Sequence, residues 1–557
     1  MRHRVWFPAI ASFLGFILIV FRLALFQLVG SPGLSLAAVA QREPGIPLER
    51  ARGRIYDRNL VPLTDFRSLS AACFPCLVLD VDGTASRLSE ILGLDRYLIL
   101  EMISRGDPVE LKRGISQREA SLLKSINGMF VVERRERYST ASVARHVIGY
   151  TDAEGEGLAG MEMAFDRRLR GSSPGAFCLY VDAMGKHVPG LGYRMRGDAE
   201  RDGRLDVVLT IDGRIQAATE RILDSQFRWE GAQAPRGAAI VVLDAHSGEI
   251  LAMASRPNFD QSRVSECLAD ERGPLLNRAV CAYPPGSVFK IVTAAAAIEE
   301  GCIGLGEAFV CHGYARVGSL RFDCASVERG GHGVITFREA LAESCNSVFI
   351  EVGQRVGAER LSRYAHLFGF GRTTGAVASG ESPGHLPDHR GMAAGDLANM
   401  SIGQWRLTAT PLQVAQAMTA VVNGGRMLPA TLVKEVADAR GLAVEVFPRP
   451  RPVRVMSAST AAWLRRALLD ATRIGGASAA FVEDAGSAGK TGSAETGRKV
   501  DGKSVLHAWF VGYAPAYAPR YIICTFVEEG GYGGAVAAPL FRALMKDLLE
   551  EGGSDHP

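Results

Sequence analysis

The stretch "YPPGSVFKIVTAAAAIEEG", from Tyr283 to Gly301, constrains the fold more than any other. A Pro-Pro-Gly turn gives way to a run of small apolar residues, and Lys290 stands where that run begins. Lysine is among the side chains least often buried, so such a helix belongs in a core only if something uses the amine. Ser287 lies three residues earlier, on the same helix face and within reach of Lys290 Nζ. Unpaired backbone N–H groups and the helix dipole at a helix start favour developing negative charge. A lysine kept dry there has a depressed pKa and can act as a base near neutrality. This is what an activated serine nucleophile requires. The plainer alternative is an N-cap serine beside a lysine that reaches out to solvent.

The pattern alone is weak, because the chain contains it twice. Ser121 and Lys124 repeat it, followed by Ser125 and Asn127, behind the capping-box spacing of Ser116 and Glu119. No glycine turn precedes that copy and no partner motif follows it, so it reads as solvated helix surface. The copy at Ser287 has two later companions. "TFREALAESCNSVFIEVG" opens with a capping box, Thr336 to Glu339, and delivers Ser344 and Asn346 after one or two helical turns. Their hydroxyl and amide suit a proton relay and the orientation of a substrate amide, or else an ordinary polar helix end. "SAGKTGSAETG" supplies Lys490, Thr491, Gly492 and Ser493 ahead of an apolar strand. The glycine lets a substrate backbone approach closely, and the amine and two hydroxyls suit a carboxylate; the alternative is a surface loop.

At 557 residues the chain exceeds one typical domain. A net charge of +3, from 63 basic and 60 acidic residues, leaves no electrostatic footprint for nucleic acid. Arg2, His3 and Arg4 precede an apolar stretch that runs to Val29, interrupted by Arg22. It is long enough to cross a hydrocarbon core of ~30 Å as a helix. The basic flank makes residues 1–30 a cytoplasmic tip and single-pass transmembrane anchor, with the rest of the chain outside. A signal peptide cleaved near "AAVAQ", residues 37–41, is the alternative. Residues 31–230 read as an α+β module without a chemical constellation of its own. Within it, "DVDGTASRLSEILG" is a turn into an amphipathic helix and "RGRIYDRNLVPLT" a strand hairpin. Residues 231–550 open with a hairpin around Ala245–Gly248. They close with two adjacent central strands, "HAWFVGYAP" and "RYIICTFVEEG", and a helix, "APLFRALMKDLLEE". Residues 551–557 form a tail.

Taken in order, Ser-x-x-Lys, Ser-x-Asn and Lys-Thr-Gly resemble the penicillin-recognising serine acyltransferases. "GEILAMASRPNFD", "PPGSVFK", "GHGVITFREAL" and "HAWFVGYAP" narrow the resemblance to class B penicillin-binding proteins. "RGRIYDRN" and "RYSTASVARHVIGYTDAEGEGLAGMEMAFDRRLRG" look like that class's non-catalytic pedestal, a dimerisation-type domain. The chain departs from the class's Gly-Gln-Gly with Gly403-Gln404-Trp405. The resemblance implies an antiparallel sheet sandwiched by helices, standing on an elongated pedestal. It implies a D,D-transpeptidase that cross-links peptidoglycan stem peptides at D-Ala-D-Ala, needs no cofactor, and is the target of β-lactams. Carried over, Ser287 is the nucleophile, Lys290 the proton acceptor and Ser344 the relay, with Lys490 completing the catalytic set. Asn346, Thr491, Gly492 and Ser493 bind substrate. The class works in elongation, division or sporulation at the bacterial cytoplasmic membrane, with a SEDS-family glycan polymerase as partner. The alternative within this fold is a β-lactam sensor or hydrolase.

Ten cysteines are too few for a disulfide scaffold, yet Cys311, Cys324 and Cys345 cluster with His332 around the second motif. Three readings stand side by side: free or buried thiols, a Cys324–Cys345 disulfide, and a three-Cys-one-His zinc site of unfamiliar spacing. Cys73 and Cys76 have redox-pair spacing in an apolar, strand-like stretch that reads as core.

Overall fold

The computed structural model describes residues 3–28, 45–179, 193–196, 203–227, 235–377 and 379–553. The expected cleavage site at 37–41 and most of the tail lie outside them. The backbone is helical over His3–Leu28. Among the described residues no helix is long and apolar enough to cross a membrane.

The chain divides into two compact units. The smaller comprises Met1–Ala51, Phe66–Arg137 and Gly171–Gly203, and the larger Arg52–Asp65, Tyr138–Arg170 and Arg204–Pro557. In the smaller unit, strands Val109–Arg113, Phe66–Cys73 and Met129–Glu136 form an antiparallel sheet. The expected turn-and-helix is Val81–Leu92, capped by the Asp80 side chain and ended by left-handed Gly93. Its Leu88 and Leu92 pack on Ala71 and Cys73. Cys73 is therefore core, whereas Cys76 is exposed.

In the larger unit, the expected hairpin at Arg52–Thr64 narrows to Ile55–Tyr56, with Tyr56 bridged to Pro62. This short strand runs parallel to Asp206–Leu209. Two of the quoted pedestal-like motifs meet there. Arg52, almost wholly buried, places Nε 2.6 Å from Glu162 and Nη1 2.8 Å from Asp166. A buried guanidinium needs such compensation.

The main sheet has five strands: β1 (Gly237–Asp244), β2 (Ile250–Arg256), β3 (Ala488–Val500), β4 (Lys503–Ala514) and β5 (Tyr521–Glu528). Their order is β2-β1-β5-β4-β3 and every pairing is antiparallel. β1 reads "GAAIVVLD", apolar without alternation, because both of its faces are covered. Ala239, Val241 and Leu243 face one core, together with Leu412 and Met418 of the fully buried helix Pro411–Val422. Ala238, Ile240 and Val242 face the other, against Phe541 and Leu544 of helix Ala537–Gly553. This is the sandwich of helices about an antiparallel sheet that the resemblance implied. Its consequence for function is that β3, carrying Lys490-Thr491-Gly492, is an edge strand.

Candidate active site

Ser287 lies in a tight 3₁₀ turn, Gly286–Phe289, that feeds helix α1, Lys290–Glu299. Gly286 has φ +57, and a Cβ there would meet Ala494 and the Ser493 carbonyl of β3. Only glycine takes that conformation in so small a space. Lys290 is completely buried, as are Ile291, Val292 and Ala294 after it. Ser287 itself remains half-buried.

The second motif sits at a joint between helices rather than on one. The capping box of Thr336 and Glu339 starts helix α2, Phe337–Ala342, and Cys345 caps helix α3, Asn346–Val356. Between them Ser344 takes φ +58, uncommon for a residue with a side chain. That turn aims three acceptors at one amine. Lys290 Nζ donates to the Ser344 carbonyl at 2.7 Å, to Ser344 Oγ at 3.3 Å and to Asn346 Oδ1 at 2.7 Å. An ammonium has three protons, so none remains for Ser287; among the described residues no hydrogen bond joins Lys290 to Ser287. Asn346 is held in turn by the bond from its Nδ2 to the Asp323 carbonyl, 3.0 Å.

Burial lowers the Lys290 amine to about 8, against the opposing pull of Cys345 and Cys324. Burial and then the Lys290 charge hold Lys490 well below its usual value, with Glu343 opposing.

Lys490, Thr491 and Gly492 are buried on β3, and Ser493 is half-buried. A Cβ on Gly492 would meet the Pro285 carbonyl at 2.9 Å and Val288 at 3.1 Å. The close approach at this glycine is therefore made by the Ser287 turn, where the sequence suggested a substrate backbone. Lys490 Nζ donates to the Thr491 carbonyl at 3.0 Å, and Ser493 Oγ accepts from Gly533 N at 3.1 Å. The structure thus brings Ser287, Lys290, Ser344, Asn346, Lys490, Thr491, Gly492 and Ser493 to one place. The copy at Ser121–Lys124 belongs to the smaller unit, where it is exposed at helix Gln117–Leu123.

Gln404 was missed as a site residue. Its Nε2 donates to the Ser493 carbonyl and its Oε1 accepts from Glu495 N, both at 3.3 Å. The departure at Gly403-Gln404-Trp405 was the available signal.

Cys311, Cys324, His332 and Cys345 converge, all ligand atoms lying within 4.8 Å of one another. The Cys324 and Cys345 sulfurs are 3.8 Å apart, and Cys324 Sγ is 3.6 Å from His332 Nδ1. Tetrahedral zinc with Zn–S bonds of about 2.3 Å separates its sulfurs by about 3.8 Å. The disulfide spacing of about 2.05 Å is far shorter. Hydrogen bonding from Cys345 holds the Cys324 thiol well below its usual value and pushes Cys345 up. Gly313 N donates to Cys311 Sγ at 3.4 Å, and Cys311 Sγ donates to Ser347 Oγ at 3.5 Å. A backbone donor of this kind stabilises a thiolate ligand.

Comparison with known proteins agrees with this architecture. The penicillin-binding protein transpeptidase domain matches residues 238–546, and the penicillin-binding protein dimerisation domain matches residues 47–192. Stage V sporulation protein D of Bacillus subtilis (strain 168) is 32% identical over 99% of this chain and 86% of its own length. The probable peptidoglycan D,D-transpeptidase PenA of Neisseria gonorrhoeae is 30% identical over 90% of this chain and 84% of its own. Penicillin binding protein 3 of Mycobacterium tuberculosis, complexed with aztreonam, superposes with a TM-score of 0.66 at 28% identity, covering 91% of this chain and 97% of that one. A peptidoglycan synthase complex, described as coordinating polymerization and crosslinking, superposes with a TM-score of 0.72 at 27% identity over 97% of both chains.

Proposed function

The chain belongs to the class B penicillin-binding proteins, and from that premise we propose that it is a serine D,D-transpeptidase cross-linking peptidoglycan stem peptides. The observation that carries this reading is the wholly buried Lys290 amine, held by Ser344 and Asn346 three residues on from Ser287.

Ser287 Oγ attacks the carbonyl between the two terminal D-alanines, and its proton passes to neutral Lys290. Lys290, now an ammonium, passes that proton to Ser344 Oγ while the Ser344 hydroxyl gives its own proton to the departing D-alanine. The Ser344 contact is the longest of the three, which suits the bond that must change. Asn346 steadies the substrate amide. Lys490, Thr491 and Ser493 receive the terminal carboxylate, with the donor lying as an added strand along the free edge of β3. Ser493 bonds away from β4 through its carbonyl, so its N–H faces the same way by strand alternation and can join Ser287 N–H in an oxyanion hole. Losing one such donor typically costs about 3 kcal/mol. An amine of a second stem peptide then takes the acyl group.

In this reading residues 231–550 are the catalytic module and 31–230 the pedestal. Residues 1–30 anchor both in the bacterial cytoplasmic membrane, where a SEDS-family polymerase supplies the glycan. Cys311, Cys324, His332 and Cys345 hold a structural zinc. The fit of four ligand atoms supports zinc over a Cys324–Cys345 disulfide, which would leave Cys311 and His332 without a purpose. A closed four-ligand zinc supplies rigidity and no chemistry of its own; Cys345 would fix the joint that aims Ser344 and Asn346.

Labelling with a fluorescent penicillin tests the reading. A stable adduct that Ser287→Ala abolishes is expected. Rapid turnover of the drug would identify a hydrolase, and an adduct without cross-linking of a donor–acceptor peptide pair would identify a sensor.

A further inference from the structure

The free edge of β3 is already partly occupied. Ser493 and Glu495 lie two residues apart on that edge, and one side chain satisfies both: Gln404 Nε2 donates to the Ser493 carbonyl while Gln404 Oε1 accepts from Glu495 N. One donor and one acceptor side by side are what a residue of an added strand would offer at the same place, its own N–H and C=O pointing to one side. Both bonds are 3.3 Å, at or beyond the long end for N–H···O contacts, and so readily exchanged.

The position of this amide is built in. Gly403, at φ +76, accepts from Gly286 N at 2.8 Å, and a Cβ on it would strike the Gly286 carbonyl. The loop is therefore seated against the turn that carries Ser287. Gln404 N bonds to the Asn399 carbonyl at 2.9 Å. Trp405 follows at φ +72, a conformation rare for a bulky residue. Its ring is 38% exposed, with the Arg406 guanidinium 5.2 Å from the ring centroid. Gln404 thus stands between two left-handed residues, on a loop fixed to the nucleophile's own turn.

We infer that Gln404 is a placeholder for the donor peptide: its carboxamide caps the β3 edge in the resting enzyme and must yield Ser493 O to any substrate or inhibitor carrying a backbone-like amide. It is a specificity-determining residue, since only ligands with such an amide compete with it. Ligands lacking the amide reach Ser287 without displacing it. The inference rests on the transpeptidase reading above.

Acylation kinetics of the full-length protein test it, with benzylpenicillin, whose acylamino side chain offers the amide, against a carbapenem, whose hydroxyethyl group does not. Gln404→Ala removes the competing hydrogen bonds. The second-order acylation constant for benzylpenicillin is expected to rise three- to tenfold, the size of one modest hydrogen bond, with the carbapenem constant within twofold of the parent. Gln404→Glu keeps an acceptor for Glu495 N but loses the donor to Ser493 O. It is expected to accelerate benzylpenicillin selectively by a smaller factor, and it carries the test if the alanine variant does not fold. Equal changes with both drugs, or slower benzylpenicillin acylation, would overturn the placeholder and make Gln404 a brace for the Ser287 turn. If neither drug acylates the parent protein, it is the transpeptidase reading that fails.

Discussion

Two copies of one four-residue pattern differ only in what surrounds them. Ser121 and Lys124 lie exposed on a short capped helix, where Ser121 Oγ donates to the Gln117 carbonyl one turn back. Ser287 and Lys290 lie where a glycine turn is pressed against a sheet edge and the following helix is walled in on every side. Water solvates the first amine. Burial lowers the second to about 8 and forces it onto protein acceptors. A spacing becomes a site when packing removes the solvent.

The largest test of this contrast is substitution at both copies. Ser287→Ala is expected to abolish acylation by a fluorescent penicillin, and Lys290→Ala to slow it by on the order of 10²–10⁴-fold. Ser121→Ala and Lys124→Ala should leave the rate unchanged; a comparable loss at Lys124 would erase the distinction.

The cysteine cluster extends the contrast, since only the second copy has a braced partner loop. One zinc per chain is expected by elemental analysis, and Cys345→Ser should weaken metal binding about 10–100-fold or more and slow acylation. Purified protein without zinc, still fully active, would remove the metal from the site.

Acidity sharpens the comparison further. Lys290 must be neutral to accept a proton, and its amine is held at about 8. The acylation rate is therefore expected to climb about tenfold per pH unit below 8 and level off above it. A profile flat from pH 6 to 9 would assign the base elsewhere. Gly492→Ala should cost about 1–3 kcal/mol in denaturant unfolding, because its Cβ meets the Pro285 carbonyl and Val288. Ser125→Ala, exposed beside the first copy, should not move the midpoint.

Much of this is legible in the amino-acid sequence. The caps at Ser116 and Thr336, the helix after Asp80 and the paired strands β4 and β5 follow from local patterns, and local patterns are what a linear reading resolves. The residues that meet at the candidate site were legible too, because three motifs coincided. What stayed hidden depends on contacts between distant residues. The left-handed turn at Ser344 breaks what reads as one helix, and only that break lets three oxygens reach Lys290. The purpose of Gly492 was misjudged because Pro285, two hundred residues earlier in round figures, fills the space beside it. Gln404 carries no spacing that would betray a bond to Ser493. The four metal-type ligands could be named from their chemistry, but their convergence needed the fold.

The most direct measurement is peptide mapping of the β-lactam adduct by mass spectrometry after treatment of the intact protein with benzylpenicillin. A single adduct on the peptide holding Ser287, lost in Lys290→Ala and retained in Lys124→Ala, is the result expected. An adduct on the peptide holding Ser121, or one whose formation is indifferent to Lys290, would contradict the claim that burial, and not spacing, makes the site.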